Sequence, residues 1–173
     1  TLLVSQMQVE SDCDARQTIL GNTLTVGAGV TTFGAISGNA FSTTEAVTQV
    51  TARIAIAAKN LFAYVSANGF TLAGTTITFR VNGADSSPLL AVSYAAGATG
   101  IAEDTTDSVT IAATDEINYS VVTDALGINT ITIQTIGFEQ SAQAAADIPP
   151  GLGPVVAMAQ PEHSMMAGAL LRW

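Results

Sequence analysis

The chain has 173 residues, of which 48% are hydrophobic and 11% are charged, whereas charged residues make up roughly 25% of an average soluble domain. This composition argues against intrinsic disorder, and no window approaches the run of about 20 apolar residues that a membrane-spanning helix needs. The net charge of −9 argues against nucleic acid or an anionic membrane as partners, because both bind clustered cations. A chain so poor in charge exposes much uncharged surface, and we expect partners to cover part of it.

Residues 1–45 contain two short patterns that are typical of weak strands in a Gly-rich context. They are Leu24–Val26 and Val30–Phe33. These segments either complete a central β-domain or belong to an N-terminal arm, and the sequence leaves both alternatives open. We assign residues 1–45 to an N-terminal arm with weak strands.

The central region, residues 46–140, alternates polar and apolar residues in one segment after another. A period of two with β-branched and aromatic residues indicates half-buried strands. The clearest case is Thr75–Val81, where Ile77 and Phe79 share one face, and Asn82-Gly83 then supplies the positive φ angles of a tight hairpin turn. The other predicted strands are Thr51–Ile56, Asn60–Val65, Leu89–Tyr94, Ser108–Ile111, Glu116–Thr123 and Ile128–Phe138.

Loops separate these strands at intervals of about 8–12 residues. Ala95–Gly100 is a loop of small residues, Glu103–Asp107 is an acidic turn, and Lys59-Asn60 marks a break between two strands. Short, evenly spaced strands with Gly, Asn and Asp between them indicate an all-β sandwich or barrel. The predicted core consists of Ile54, Ile56, Leu61 or Phe62, Ile77, Phe79, Val92, Ile111, Ile117, Tyr119, Ile131 and Ile133.

The composition changes at residue 141. Pro149–Pro154 blocks both sheet ladders and helices, and Val155–Trp173 holds three of the four Met residues and the only Trp. This segment is either a frayed terminus or an arm that docks on a neighbouring subunit, with Met and Trp as adaptable anchors. We predict an arm over 141–173, and the predicted partner-binding residues at the two chain ends are Leu2, Leu3, Val4, Met165, Met166, Leu170, Leu171 and Trp173.

No combination of residues predicts a catalytic centre. The only histidine, His163, lies between a Glu and a Ser in the Pro-rich tail, and an irregular segment does not hold a base and a nucleophile in reactive geometry. The only cysteine, Cys13, lies between two Asp residues, whose carboxylates disfavour a reactive thiolate, and a single cysteine cannot form an internal disulfide. We therefore expect no enzymatic activity and no cofactor.

Paired carboxylates occur at Glu103-Asp104 with Asp107 and at Asp115-Glu116. Glycosidases use two carboxyl groups across a sugar, but Asp is common in turns because it hydrogen-bonds its own backbone, and we interpret both pairs as turn residues. Calcium at Asp104 and Asp107 is a minor alternative, since oxygen ligands suit it although the spacing of an EF-hand is missing. Zinc-binding spacings and phosphate-binding glycine motifs are also missing, so the sequence predicts no metal site.

The stretch Thr75–Thr123 has an ordered set of motifs. A strand ending in R-x-N-G at Arg80–Gly83 is followed by a Gly-rich loop, a D-T-T turn at Asp104–Thr106 and a D-x-I-x-Y strand at Asp115–Tyr119. This order resembles phage virion structural proteins with a jelly-roll domain of the tumour-necrosis-factor/C1q kind. One departure is Thr114, where the pattern leads us to expect glycine.

The resemblance covers a third to a half of the chain. It implies a homotrimer and a jelly-roll β-sandwich over residues 46–140, to which the composition adds extended N- and C-terminal arms.

The expected function is that of a non-enzymatic structural protein at the capsid surface of a phage virion, foremost a capsid decoration (cement) protein. Its expected partners are copies of itself and the major capsid protein or another virion protein, with no nucleic acid and no membrane. Two alternatives stay open. One is a receptor- or glycan-binding fibre head with Tyr64, Phe70 and Tyr94 as candidate aromatic residues; the other is a capsid or filament building block.

Overall fold

A computed structural model describes residues 15–37, 40–72, 74–124 and 129–142. Within these ranges the chain forms eleven β-strands and one short 3-10 helix, Glu45–Val47. The strands are β1 (Ala15–Gly27), β2 (Thr31–Gly34), β3 (Phe41–Ser42), β4 (Val50–Thr51), β5 (Ile56–Asn68), β6 (Thr75–Val81), β7 (Ala84–Asp85), β8 (Ala91–Tyr94), β9 (Gly100–Ile111), β10 (Glu116–Thr123) and β11 (Thr130–Ala142).

The strands form two antiparallel sheets. One sheet has the order β1-β11-β5-β9, and the other has the order β3-β2-β10-β6-β7, with β4 beside β10 and β8 beside β6. The eight principal strands are, in chain order, β1, β2, β5, β6, β8, β9, β10 and β11. The first, third, sixth and eighth of them lie in one sheet, and the other four lie in the second sheet. Two packed sheets with this alternation have the connectivity of a jelly roll. The predicted all-β sandwich is confirmed.

Strands that precede residue 46 belong to both sheets. β1 pairs along its length with β11, and β2 pairs with β10. Of the two alternatives left open for residues 1–45, the described part of that region supplies sandwich strands, and the sandwich therefore begins before residue 46. The predicted arm segments 1–14 and 143–173 lie outside the described residues.

The core lies between the sheets, and the predicted core is largely confirmed. Ile54 is the wrong prediction: its side chain is 67% exposed, because residues 53 and 54 form a bend between β4 and β5 rather than the middle of a strand. Of the alternatives Leu61 and Phe62, Leu61 is the buried one. The other predicted core residues are buried, namely Ile56, Ile77, Phe79, Val92, Ile111, Ile117, Tyr119, Ile131 and Ile133.

Three aromatic rings connect the two sheets at the centre of the core. Phe79 and Tyr119 are cross-strand neighbours on β6 and β10, and Phe138 comes from β11 of the opposite sheet. Their centroids are 5.1 to 6.4 Å apart with edge-to-face geometry, a contact worth about 0.5–1.5 kcal/mol per pair beyond area burial. The Tyr119 hydroxyl has no hydrogen-bond partner among the described residues, and burial raises its pKa.

The predicted turn at Asn82-Gly83 and the predicted break at Asn60 both have positive φ angles, but Asn60 has a different structural role from the predicted one. Asn82 and Gly83 have φ angles of 53° and 76°, which confirms the predicted hairpin turn between β6 and β7. Asn60 has a φ of 52°, but it does not end a strand. It lies at a β-bulge, because the register of β5 against β9 shifts between Lys59 and Leu61. The predicted break is therefore a bulge inside one long strand.

Thr114 lies in the turn between β9 and β10 with a φ of +84°. The Asp115 N–H donates to the Ala112 carbonyl at 3.2 Å, and the Thr114 N–H donates to the Ala52 carbonyl at 2.7 Å. A positive φ is a costly conformation for a β-branched residue. The expectation of glycine before Asp115 therefore has a physical basis, since the backbone holds threonine in a conformation that suits glycine.

Replacing Thr114 with glycine is expected to stabilise the sandwich. Relief of the positive φ gains about 1–2 kcal/mol, and the extra backbone freedom of glycine costs about 0.5–1 kcal/mol, which leaves a gain of roughly 0.5–1 kcal/mol in a urea unfolding curve. Ala113→Gly, in the same turn but without a positive φ, is the matched control and is expected to destabilise. A lower unfolding midpoint for Thr114→Gly contradicts the strain at this turn.

Candidate assembly surfaces

The structure leaves the predicted partner-binding residues untested, because all of them lie outside the described ranges. The same holds for Cys13 and His163. The unplaced partner-binding residues are Leu2, Leu3, Val4, Met165, Met166, Leu170, Leu171 and Trp173.

The described chain begins and ends at the same edge of the sandwich. Ala15 at the start of β1 pairs with Ser141 near the end of β11, because the two strands are antiparallel neighbours. On the other side of β11, Ala142 pairs with Ile56. The polypeptide therefore enters and leaves the sandwich at adjacent points.

The outer face of the β1-β11-β5-β9 sheet has apolar side chains at its centre. Alternation along β5 buries Leu61, Ala63 and Val65 in the core, so Phe62 and Tyr64 point to the opposite side. Phe62 is half-buried, while Tyr64 is 39% exposed and pairs across the strands with Ile101 of β9, which is 67% exposed. We refer to Phe62, Tyr64 and Ile101 as the outer-face patch.

The residues beside the outer-face patch are small, or charged and partly paired. On β11, Gly137 is the cross-strand neighbour of Phe62, and Thr135 is that of Tyr64. Lys59 Nζ lies 3.6 Å from Glu139 Oε1, and the Asn60 amide donates to the other oxygen of the same carboxylate. An exposed pair of this kind adds little stability, and it neutralises only part of the charge beside the patch, because the exposed Glu103 is the cross-strand neighbour of Phe62 on β9.

Other exposed hydrophobic side chains are dispersed among loops and strand ends, as is normal for a protein surface. Leu72, in the loop between β5 and β6, is 79% exposed, and it is useful as a position outside the outer-face patch. The rest of this set comprises Val47, Val50, Ile54, Leu89 and Val122.

Two of the three aromatic residues considered for sugar binding are in the core. Phe70 and Tyr94 are buried, and only Tyr64 is exposed. The Tyr94 hydroxyl donates to the Ala63 carbonyl at 2.5 Å and accepts from the Ala102 N–H at 3.1 Å. Because β8 and these two residues belong to different sheets, Tyr94 holds the sheets together. Desolvation raises its pKa, and the hydrogen bond from Ala102 opposes that rise.

Asp104 organises a bulge in β9 where the sequence predicts an acidic turn. One carboxylate oxygen accepts from the N–H groups of Thr106 and Asp107, and the other accepts from the Ala91 N–H at 3.1 Å. Partial burial by itself raises the pKa of Asp104, but these hydrogen bonds outweigh it and hold the pKa below its usual value of 3.8. The carboxylate is thus committed to backbone donors.

The second carboxylate pair is also structural. Asp115 accepts from Asn82 Nδ2 and from the Ala112 N–H, both at 2.8 Å, which ties the β9–β10 turn to the β6–β7 hairpin. Within the described ranges, no group of three or more His, Cys, Asp or Glu side chains is arranged to hold a metal ion. The interpretation as turn residues holds for Asp115, whereas Asp104 and Asp107 lie in the bulge of β9 and Glu116 is the first residue of β10.

The outer-face patch is not among the surfaces predicted from the sequence. The sequence does contain a signal for this patch, because the consecutive residues Leu61 and Phe62 place apolar side chains on both faces of β5. A strand that is apolar in both phases is typical of one covered on two sides, and here the second side has no cover among the described residues.

No family model, no curated protein and no solved structure matches the chain. In the described part of the chain, no helix has both the length and the apolar character needed to cross a bilayer.

Asp104→Asn is expected to destabilise the sandwich by about 1–3 kcal/mol at pH 7, because the amide puts a donor where backbone N–H groups need an acceptor. Since the folded-state pKa of Asp104 is lowered, its contribution is present above the unfolded pKa and is lost as the pH falls through the folded pKa. Denaturant unfolding at pH 7 and pH 3 measures this. Asp107→Asn is the control, because the Asp107 carboxylate accepts a hydrogen bond from the Thr106 hydroxyl alone among the described residues. Equal effects of the two substitutions contradict the assignment.

Proposed function

We propose that this chain is a non-enzymatic structural protein of a phage virion, a capsid decoration protein that forms a homotrimer and stabilises the shell from its surface. The observation that carries the proposal is the pairing of Ala15 with Ser141 on adjacent strands. These two residues lie near the two ends of the described sandwich, so the apolar terminal segments are joined to neighbouring strand ends. Two apolar segments joined to neighbouring strand ends suit attachment to a larger particle.

Attachment in this form gains strength from multivalency. Each terminal segment makes a modest contact of its own, and three copies held together offer several such contacts at once. Linked contacts raise the effective concentration of every further contact, so avidity exceeds the affinity of a single segment by about 10²–10⁴. The partner is the major capsid protein or another virion protein, and the contacts come from the predicted partner-binding residues at the two chain ends.

The outer-face patch supports self-association. Tyr64 and Ile101 are exposed apolar neighbours on adjacent strands, and aromatic residues at the centre of an interface carry much of its binding energy. The Lys59–Glu139 pair on the Phe62 side of the patch lowers the cost of burying those two charges. The trimeric state itself comes from the resemblance to tumour-necrosis-factor/C1q-like phage proteins, whose jelly-roll fold agrees with the strand order described above.

Ile101→Lys is expected to dissociate the oligomer. The side chain of Ile101 is exposed in the single chain, so the substitution leaves the fold intact, but it places an unpaired charge in the interface and weakens association by at least about a hundredfold. Light scattering at a series of concentrations gives the mass, and Leu72→Lys, outside the outer-face patch, is the matched control. An unchanged mass for Ile101→Lys contradicts this use of the patch.

Immunogold electron microscopy of phage particles whose genome encodes this chain tests the virion assignment. Antibodies against the sandwich are expected to label the outer surface of the shell at many positions. Label confined to fibre tips supports the receptor- or glycan-binding alternative, and label throughout the shell wall supports a building block. Absence of label from every particle contradicts a virion function.

A further inference from the structure

The outer face of the second sheet differs from that of the first, because it hides polar side chains. On β10, Ile117, Tyr119 and Val121 point into the core, so Asn118 and Ser120 point outward. Both of these polar residues are nevertheless buried. Asn118 Nδ2 donates to Thr48 Oγ1 at 3.1 Å, and Thr48 is buried as well. The segment 40–49, which we refer to as the strap, therefore covers this part of the sheet.

The strap has one apolar attachment, because Phe41 of β3 is half-buried and packs against the core. The two residues of β3 also pair with β2. The 3-10 helix contains no buried residue, and within the strap only Thr48 is buried. With apolar burial limited to Phe41, the strap has low local stability, and polar contacts contribute much of what holds its second half closed.

The strongest of these contacts is a two-point ion pair between the strap and β6. Arg80 Nε lies 2.5 Å from one carboxylate oxygen of Glu45, and Arg80 Nη2 lies 3.1 Å from the other. The guanidinium is also held from its own hairpin by Asp85 and the Gly83 carbonyl, both at 2.5 Å, and it lies 5.5 Å from the centroid of the Phe33 ring. Arg80 is therefore held in place by its own hairpin, and Glu45 is the partner that moves away when the ion pair breaks. The ion pair raises the pKa of Arg80.

The closed strap also carries a free-energy penalty. Asn118 Oδ1 is buried with no hydrogen-bond partner among the described residues, and an unsatisfied buried acceptor loses its hydration without compensation. Opening the strap returns this oxygen to water. The ion pair of Glu45 therefore stabilises the closed state, whereas the unsatisfied Asn118 oxygen destabilises the closed state and not the open one.

We propose that the strap is a latched flap that opens as a unit from the outer face of β10 and β6 while the sandwich stays folded, with the Glu45–Arg80 pair as the latch. Opening uncovers the Asn118 amide, which lies on the same outer face as Ser120 and the ring of Phe33, the cross-strand neighbour of Ser120 on β2. The second sheet then offers a polar and aromatic surface that the closed form withholds. This inference does not depend on the proposed virion function.

Native-state hydrogen exchange on the full-length protein tests the latch with two nearly isosteric variants. Glu45→Gln removes the charge that holds the strap, whereas Asp85→Asn removes a charge that contacts the same Arg80 from within its hairpin. The reporters are the amides of Thr48 and Ala35, which donate to the Glu45 and Ala40 carbonyls. The amide of Phe79, bonded to the Leu90 carbonyl, reports on the sandwich itself.

Glu45→Gln is expected to accelerate exchange at Thr48 and Ala35 by about tenfold, because a charge-assisted pair becomes a neutral one, with exchange at Phe79 unchanged. Asp85→Asn is expected to leave Thr48 and Ala35 at the wild-type rate, and added salt is expected to accelerate them in the wild type but not in Glu45→Gln. The proposal is overturned by unchanged rates at Thr48 in Glu45→Gln, by equal acceleration in the two variants, or by acceleration at Phe79 as large as at Thr48.

Discussion

The edge-to-face contact of Phe79, Tyr119 and Phe138 between the two sheets is the interaction on which the rest of the structure depends. The chain has one cysteine and 11% charged residues, so neither an internal disulfide nor an extensive ionic network joins the sheets. Besides the hydrogen bonds of Tyr94, apolar burial must therefore hold the sheets together, and these three rings lie where the sheets meet. They also fix which side chains of β6, β10 and β11 point into the core, because a shift of one residue would turn every side chain to the other face.

Because the inward side chains are fixed, the side chains on the outer face of each sheet are fixed as well, and the two outer faces differ in polarity. With Leu61 and Val65 inward, β5 presents Phe62 and Tyr64 on an open apolar face. With Tyr119 inward, β10 presents Asn118 outward, and there the strap covers it. One sheet thus has an open apolar face, which we propose binds a second copy, whereas the other has a polar face that the strap covers.

Strands with strict alternation could be predicted with their bounds, whereas strands interrupted by bulges were predicted only in part. Thr75–Val81 and Glu116–Thr123 coincide with β6 and β10, because one face of each is apolar and both are bounded by turn residues. β9 begins at Gly100, eight residues before the predicted strand, since the hydrogen bonds of Asp104 keep an acidic bulge within the ladder. Ile54 was misplaced because alternation alone does not reveal a bend.

The surfaces were harder to predict than the strands, because they depend on contacts between distant parts of the chain. Glu45 and Arg80 are 35 positions apart, and neither residue has a sequence pattern that predicts their pairing. The outer-face patch had a visible signal in the apolar pair Leu61-Phe62, but the neighbour of Tyr64 on β9 became known only from the register. The predicted terminal anchors from Leu2 to Trp173 lie outside the described residues and stay predictions.

An experimental structure of the assembled full-length protein tests the assembly proposal most directly. We expect Tyr64 and Ile101 to be buried against a neighbouring copy. A single isolated copy, with both side chains in solvent at the concentration of the measurement, would contradict the proposal that this sandwich works by binding copies of itself.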